Sequence, residues 1–210
     1  ALGSRALTTN VLGSANTAIG FDALFTVNPA SAVTMYNTAV GYQAGNSITT
    51  GIQNTFVGGL AGDSTDDGSY NTAVGLQALS ANCGDSNTAI GESALSVNTA
   101  SSNTAVGKAA LTSNTTGSGN VATGFQAGLF ATTSDNSTFV GFAAGQGITG
   151  AKLTGNLNTA VGKDAGLLLQ GAASENCIFG ALAGDAITTG GENCLFGMGA
   201  GGSIQTAIRN

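Results

Sequence analysis

The sequence predicts an all-β fold: a parallel β-roll or β-solenoid of about twelve coils, each 16–21 residues long. Three observations predict it. Glycine recurs at a near-constant period, asparagine and alanine hold fixed offsets from that glycine, and the residues before each glycine alternate as a short strand does.

Gly41, in Asn37-Thr38-Ala39-Val40-Gly41, serves as the reference anchor. Its equivalents are Gly3, Gly20, Gly58, Gly75, Gly91, Gly107, Gly124, Gly141, Gly162, Gly180 and Gly197, at successive spacings of 17, 21, 17, 17, 16, 16, 17, 17, 21, 18 and 17. The repeat covers essentially all of residues 1–210, read as a single repetitive segment. The chain opens in mid-repeat on Ala1-Leu2-Gly3, which reads as a piece of a longer fibre chain.

Four residues before the anchor stands asparagine: Asn16, Asn37, Asn54, Asn71, Asn87, Asn103, Asn120, Asn158, Asn176 and Asn193, with Ser137 the exception. Asparagine there can bond backbone groups at a bend and stack on its copies in adjacent coils. Next come threonine, a central residue and a β-branched or aromatic residue, as in Thr72-Ala73-Val74. This alternation is that of a half-buried strand. Threonine shares its face with valine, and the expectation is that this face points inward. The anchor glycine permits a turn that a side chain would obstruct.

Alanine follows three residues after every anchor, from Ala6 to Ala200. One further on stands only leucine (Leu7, Leu24, Leu79, Leu95, Leu111) or glycine. These two columns are expected to form a small-residue stripe that lets backbones or neighbouring chains approach closely. A period near 17 is too short for a helical repeat, which needs about 33 residues. It suits one flat coil of two short strands and two turns. The extra residues of the two 21-residue spacings fall in the polar loop, near Asn28-Pro29-Ala30 and Gly150-Ala151-Lys152-Leu153.

Composition narrows the function classes. Only 8% of residues are charged, the net charge is −6 and no basic cluster occurs, which disfavours nucleic acid or an anionic membrane as partner. No stretch nears the roughly 18 apolar residues of a membrane span. Histidine is absent, the acids share no column, and the glycine-rich segments lack the lysine of a phosphate-binding loop. The expectation is therefore no enzyme, no cofactor, and no catalytic or metal residues. Asp63, Asp66, Asp67 and Asp85 read as solvated acidic loops.

The three cysteines fit neither a disulfide scaffold nor a zinc finger. Cys177 and Cys194 take the threonine column in adjacent coils. A disulfide between stacked coils is allowed by their spacing; two small buried thiols replacing threonine is the plainer reading. Phe21, Tyr42, Phe125 and Phe142 follow their anchors and either face outward toward a ligand or pack against neighbouring coils or chains. Residues 205–209 resemble a repeat start that arrives early, with Arg209 where glycine is due, and read either as the beginning of the next coil or as the exit from the roll.

The unit Asn71-Thr72-Ala73-Val74-Gly75-Leu76-Gln77-Ala78-Leu79, and its copy Asn87 to Leu95, resembles two known repeats. One is the head repeat of YadA-like trimeric autotransporter adhesins; the other is the NTAVGYQAL-type repeat of bacteriophage tail fibres. The resemblance spans the chain. It implies a trimeric, left-handed parallel β-roll displayed outside a cell or on a virion. The longer coil here leans toward the phage-type fibre. The expected function is then structural: the shaft or head segment of a homotrimeric fibre that projects a receptor-binding tip for host attachment. Its partners would be its own copies and, through flanking domains, a host-surface glycan or protein. A bacterial surface adhesin head is the alternative. An ice-binding solenoid is a remote one, set back because threonine is expected to point inward.

Overall fold

A computed structural model of the protein describes residues 1–209. The described residues contain short parallel β-strands and turns and no helix, and they form a β-solenoid. They fall into two compact units, Ala1–Asn103 and the remainder from Thr104 onward. Both are built of the same coil.

In the first unit the strands are β1 (Gly13–Ser14), β2 (Thr17–Ile19), β3 (Val33–Thr34), β4 (Thr38–Val40), β5 (Thr55–Val57), β6 (Thr72–Val74) and β7 (Thr88–Ile90). Strands β2, β4, β5, β6 and β7 pair in parallel with every threonine opposite the next. The insertion after Asn28 supplies β3, which pairs with β1 as a second, two-stranded ladder. In the second unit β8 (Thr104–Val106), β9 (Val121–Thr123), β10 (Thr138–Val140), β11 (Thr159–Val161), β12 (Cys177–Phe179) and β13 (Cys194–Phe196) pair in the same register. Here the insertion near Gly150 folds back on itself through an Ile148–Ala151 bridge and buries Leu153.

From β5 onward each coil carries a single three-residue strand where two short strands were expected. The remainder of the coil turns too sharply to stay extended. After Gly75, for example, Gln77, Leu79 and Ser86 all take left-handed backbone angles, at φ 55°, 53° and 61°. Such residues cost about 1–2 kcal/mol each in isolation. Here each of their N–H groups donates to an adjacent coil: Gln77 to the Gly59 carbonyl at 3.0 Å, Leu79 to Ala94 at 3.0 Å, and Ser86 to Ser69 at 2.9 Å. The bends hold because their donors are satisfied between coils.

The direction of the strand faces reverses expectation. In every Thr-Ala-Val strand the central residue is buried, while threonine and valine are exposed or half-exposed. Ala18, Ala39, Phe56, Ala73 and Ala89 line the core of the first unit, and Ala105, Ala122, Phe139, Ala160, Ile178 and Leu195 that of the second. The alanine column after the anchor is also core, from Ala23 to Ala183. Of its two expected roles, the column therefore serves close approach within the coil and not contact between chains. Two alanine columns leave a coil cavity narrow enough to be filled from one chain.

The alternation of leucine and glycine four residues past the anchor follows from that narrowness. Leu24 lies between coils centred on Ala18 and Ala39, Leu79 between Ala73 and Ala89, and Leu111 between Ala105 and Ala122; all three are fully buried. Glycine replaces leucine wherever a bulky central residue adjoins. A Cβ on Gly62 would stand 2.6 Å from the Phe56 ring, and one on Gly145 would stand 2.1 Å from Phe139. Core volume is thus conserved coil by coil, as dense packing requires.

Residues 205–209 do not begin a new coil. The Ala207 carbonyl accepts from the Asn193 side chain at 2.9 Å, as the Gly190 carbonyl accepts from Asn176 at 2.9 Å one coil earlier. The segment takes the place held by the loop before the asparagine in earlier coils, and Arg209 pairs there with Glu192 at 2.7 Å.

Candidate functional surface: stacked ladders and the outward sheet face

The asparagine column forms an internal ladder in each unit. In the first, the Asn37 side-chain oxygen accepts the Asn54 N–H at 2.9 Å, Asn54 accepts from Asn71 at 2.9 Å, Asn71 from Asn87 at 2.8 Å and Asn87 from Asn103 at 3.0 Å. Each amide group donates in turn to a loop carbonyl of the next coil, Asn37 to Gly51 at 2.7 Å and Asn54 to Gly68 at 2.9 Å. Asn71 and Asn87 repeat this toward Gly84 and Ala100. In the second unit Asn120, Asn158, Asn176 and Asn193 make the same bonds. From Asn37 to Asn193 these residues are all but fully buried, whereas Asn16 is half-exposed. One carboxamide therefore satisfies two buried backbone groups per coil, which burial would otherwise leave orphaned.

Ser137 breaks the column without breaking the ladder. Its N–H donates to Asn120 at 2.9 Å, and its Oγ accepts from the Asn158 N–H at 3.1 Å. The missing amide donor comes from Ser134, whose hydroxyl donates to the Gly155 carbonyl at 2.7 Å. Apart from Thr34 before Asn37, the residue three before the asparagine is elsewhere glycine or alanine, leaving room for the carboxamide.

The anchors Gly20, Gly41, Gly58, Gly75, Gly91, Gly107, Gly124, Gly141, Gly162, Gly180 and Gly197 share φ values between 116° and 142°. Gly58 shows why no other residue fits: a Cβ there would lie 2.5 Å from the Gly75 carbonyl oxygen. The anchor N–H donates to the preceding coil, Gly58 to Val40 and Gly75 to Val57, each at 2.8 Å.

Outside the coil, three columns share one sheet face. Threonine forms the first (Thr17, Thr38, Thr55, Thr72, Thr88) and β-branched residues the second (Ile19, Val40, Val57, Val74, Ile90). The residue after the anchor forms the third. Phe21 and Tyr42 stack there at 5.7 Å between ring centroids, and in the second unit Phe125 and Phe142 stack at 5.2 Å. All four rings are exposed as well as stacked between coils. The threonine ladder is unbroken in the first unit; in the second it passes through Val121 and ends on Cys177 and Cys194.

The acidic loops make bonds of the same coil-to-coil kind. Asp66 accepts from the Thr49 hydroxyl, and Asp85 accepts the Ser69 N–H at 2.8 Å. Burial pushes the Asp63 carboxyl above its ordinary range. Two features of this surface escape a column-by-column reading of the sequence: the Ser134–Ser137 pair and the coupling of glycine to bulky central residues. Both are visible as covariation between columns.

Comparison of the chain with known protein families, with curated proteins and with solved structures finds no match.

Proposed function

We propose that this chain is a shaft or head segment of a homotrimeric fibre, of the bacteriophage tail-fibre or virion-appendage kind, displayed outside the cell. Its task is mechanical: to project a receptor-binding tip for host attachment. The observation that carries this reading is the outward face. Val57 and Val74 are 36% exposed, Ile90 39% and Ile19 41%, in one β-branched column. Beside it Tyr42 (56%) and Leu76 (52%) are exposed in a column that Gly59 and Glu92 interrupt. Large apolar columns of this kind mark a surface that another molecule covers. A repeat presents the same columns on every copy, which suits association of identical chains by symmetry. The stacked asparagine and backbone ladders supply stiffness along the coil axis. Three-fold closure and the left-handed coil come from the repeat's resemblance and belong to the same proposal.

The test is the absolute mass of the purified segment by light scattering, at micromolar and nanomolar concentration. A stable mass of three times 20.3 kDa is expected. Val57→Lys with Val74→Lys, both outward, should release folded monomers. A wild-type monomer that keeps its β-signal overturns the reading. Direct binding of the trimer itself to host matrix or cells would move it from a phage shaft to a bacterial adhesin head.

A second reading is favoured by one specific observation. The threonine ladder points outward, so the reason for setting back an ice-binding solenoid falls. Thr17 to Thr88 would present hydroxyls and methyls at the ~4.8 Å interstrand repeat. This reading requires a monomer with thermal hysteresis, lost when Thr55 and Thr72 become lysine.

A further inference from the structure

The threonine column of the second unit ends on two thiols that are placed to react with one another. Cys177 and Cys194 are direct partners across the parallel pair β12–β13. Neighbouring strands lie about 4.8 Å apart, inside the 4.4–6.8 Å Cα range that a disulfide bridges. Parallel register aims both side chains at the same face, with Ile178 and Leu195 beneath them in the core. Burial and the neighbouring Cys194 thiol push the Cys177 thiol above its ordinary range. Both are free; Cys177 is half-buried and Cys194 exposed. Threonine, the usual occupant of this column, would fill the same space, so packing alone does not call for cysteine twice in succession. Two thiolates do not complete a tetrahedral zinc site, which leaves sulfur–sulfur chemistry.

The third cysteine is set apart from this chemistry. Cys83 is buried against Thr65 at 3.3 Å, and burial pushes its thiol up to about 11.

We propose that Cys177 and Cys194 are a dithiol site that closes to an intrachain disulfide across β12 and β13 by exchange with a low-molecular-weight disulfide such as oxidised glutathione. The more exposed Cys194 gives its proton to solvent and attacks one sulfur of the reagent, expelling one glutathione thiolate. The Cys177 thiolate then attacks the Cys194 sulfur and expels the second. The two cysteines lose two protons and two electrons, and the reagent is reduced to two glutathione molecules. The bond closes a covalent ring across the 17-position spacing of the two cysteines. It staples the coil of β13 to the coil before it. The chemistry lies within one chain and does not depend on the fibre reading.

The experiment treats the reduced, full chain with oxidised glutathione at pH 8 in the absence of air. Intact mass should fall by two hydrogens with no glutathione retained, and non-reducing digestion should join the peptides carrying Cys177 and Cys194. Amide exchange over residues 194–209 should slow on the order of ten-fold relative to the reduced chain. Cys177→Thr and Cys194→Thr, which restore the residue common in this column, should each keep one glutathione and show no slowing. Retention of two glutathiones by the wild type, chains linked to one another, or a bridge that includes Cys83 would each overturn the proposal.

Discussion

The hydroxyls of Ser134 and Ser137 lie 2.9 Å apart and together do the work of one asparagine side chain. Ser137 accepts where the carboxamide oxygen would, and Ser134 donates where its nitrogen would. The pair should therefore be coupled. Ser137→Asn alone is expected to destabilise by about 1–3 kcal/mol, because the longer side chain meets the Ser134 hydroxyl. Adding Ser134→Gly restores the composition of the other coils and should recover most of that loss. Urea denaturation of the two single variants and the double variant gives the coupling energy directly.

Asn54→Ala leaves the Asn71 N–H and the Gly68 carbonyl buried without partners. The expected loss is about 2–6 kcal/mol, from two orphaned groups at about 1–3 kcal/mol each. Asn16 offers an internal comparison. Its oxygen accepts from Asn37 at 3.0 Å, but its amide nitrogen has no partner. Asn16→Ala should cost about half as much or less. Equal losses in thermal or chemical unfolding would contradict the ladder as the source of stability.

The anchors separate two effects that glycine combines. Gly58→Ala brings a Cβ to 2.5 Å from the Gly75 carbonyl oxygen at φ 137°, so both collision and backbone strain apply. A loss of about 4 kcal/mol or failure to fold is expected. Gly197→Ala has φ 116° and open space around it. Strain alone remains there, about 1–3 kcal/mol. Unfolding midpoints of the two variants should differ accordingly.

Phe56→Ala empties a fully buried site and should cost about 3–5 kcal/mol. Gly62, which faces that ring at φ 59°, can then accept the residue that other coils carry. Leucine already occupies the equivalent place at φ 49° in Leu24 and 53° in Leu79. Phe56→Ala with Gly62→Leu is expected to regain at least half of the loss. Gly62→Leu in the wild-type background should be strongly destabilising. The four proteins form a double-mutant cycle read by urea denaturation.

Much of this fold is legible along the chain because each residue's chief partner is its own copy one coil away. A ladder from Asn37 to Asn54, or from Gly58 to Gly75, turns a contact in space into a column in the sequence. The leucine-or-glycine column was readable as a pattern, but its cause was not. That cause lies in Phe56 and Phe139, which stand in a different column and reach across the core. The serine pair is hidden for the same reason, since Ser134 compensates for a residue in another column.

The sequence by itself determined the period, the place of the strands, the glycine turns and the asparagine bends. Only the tertiary structure decided which side of Thr-Ala-Val is the inside. Alternation is symmetric between the two faces of a strand, so pattern alone cannot orient it. The central residue lies inside in every such strand, while valine and threonine are turned outward. The enclosed volume is held by pairing columns: leucine past the anchor goes with alanine in the adjoining coils, and glycine goes with Phe56 or Phe139.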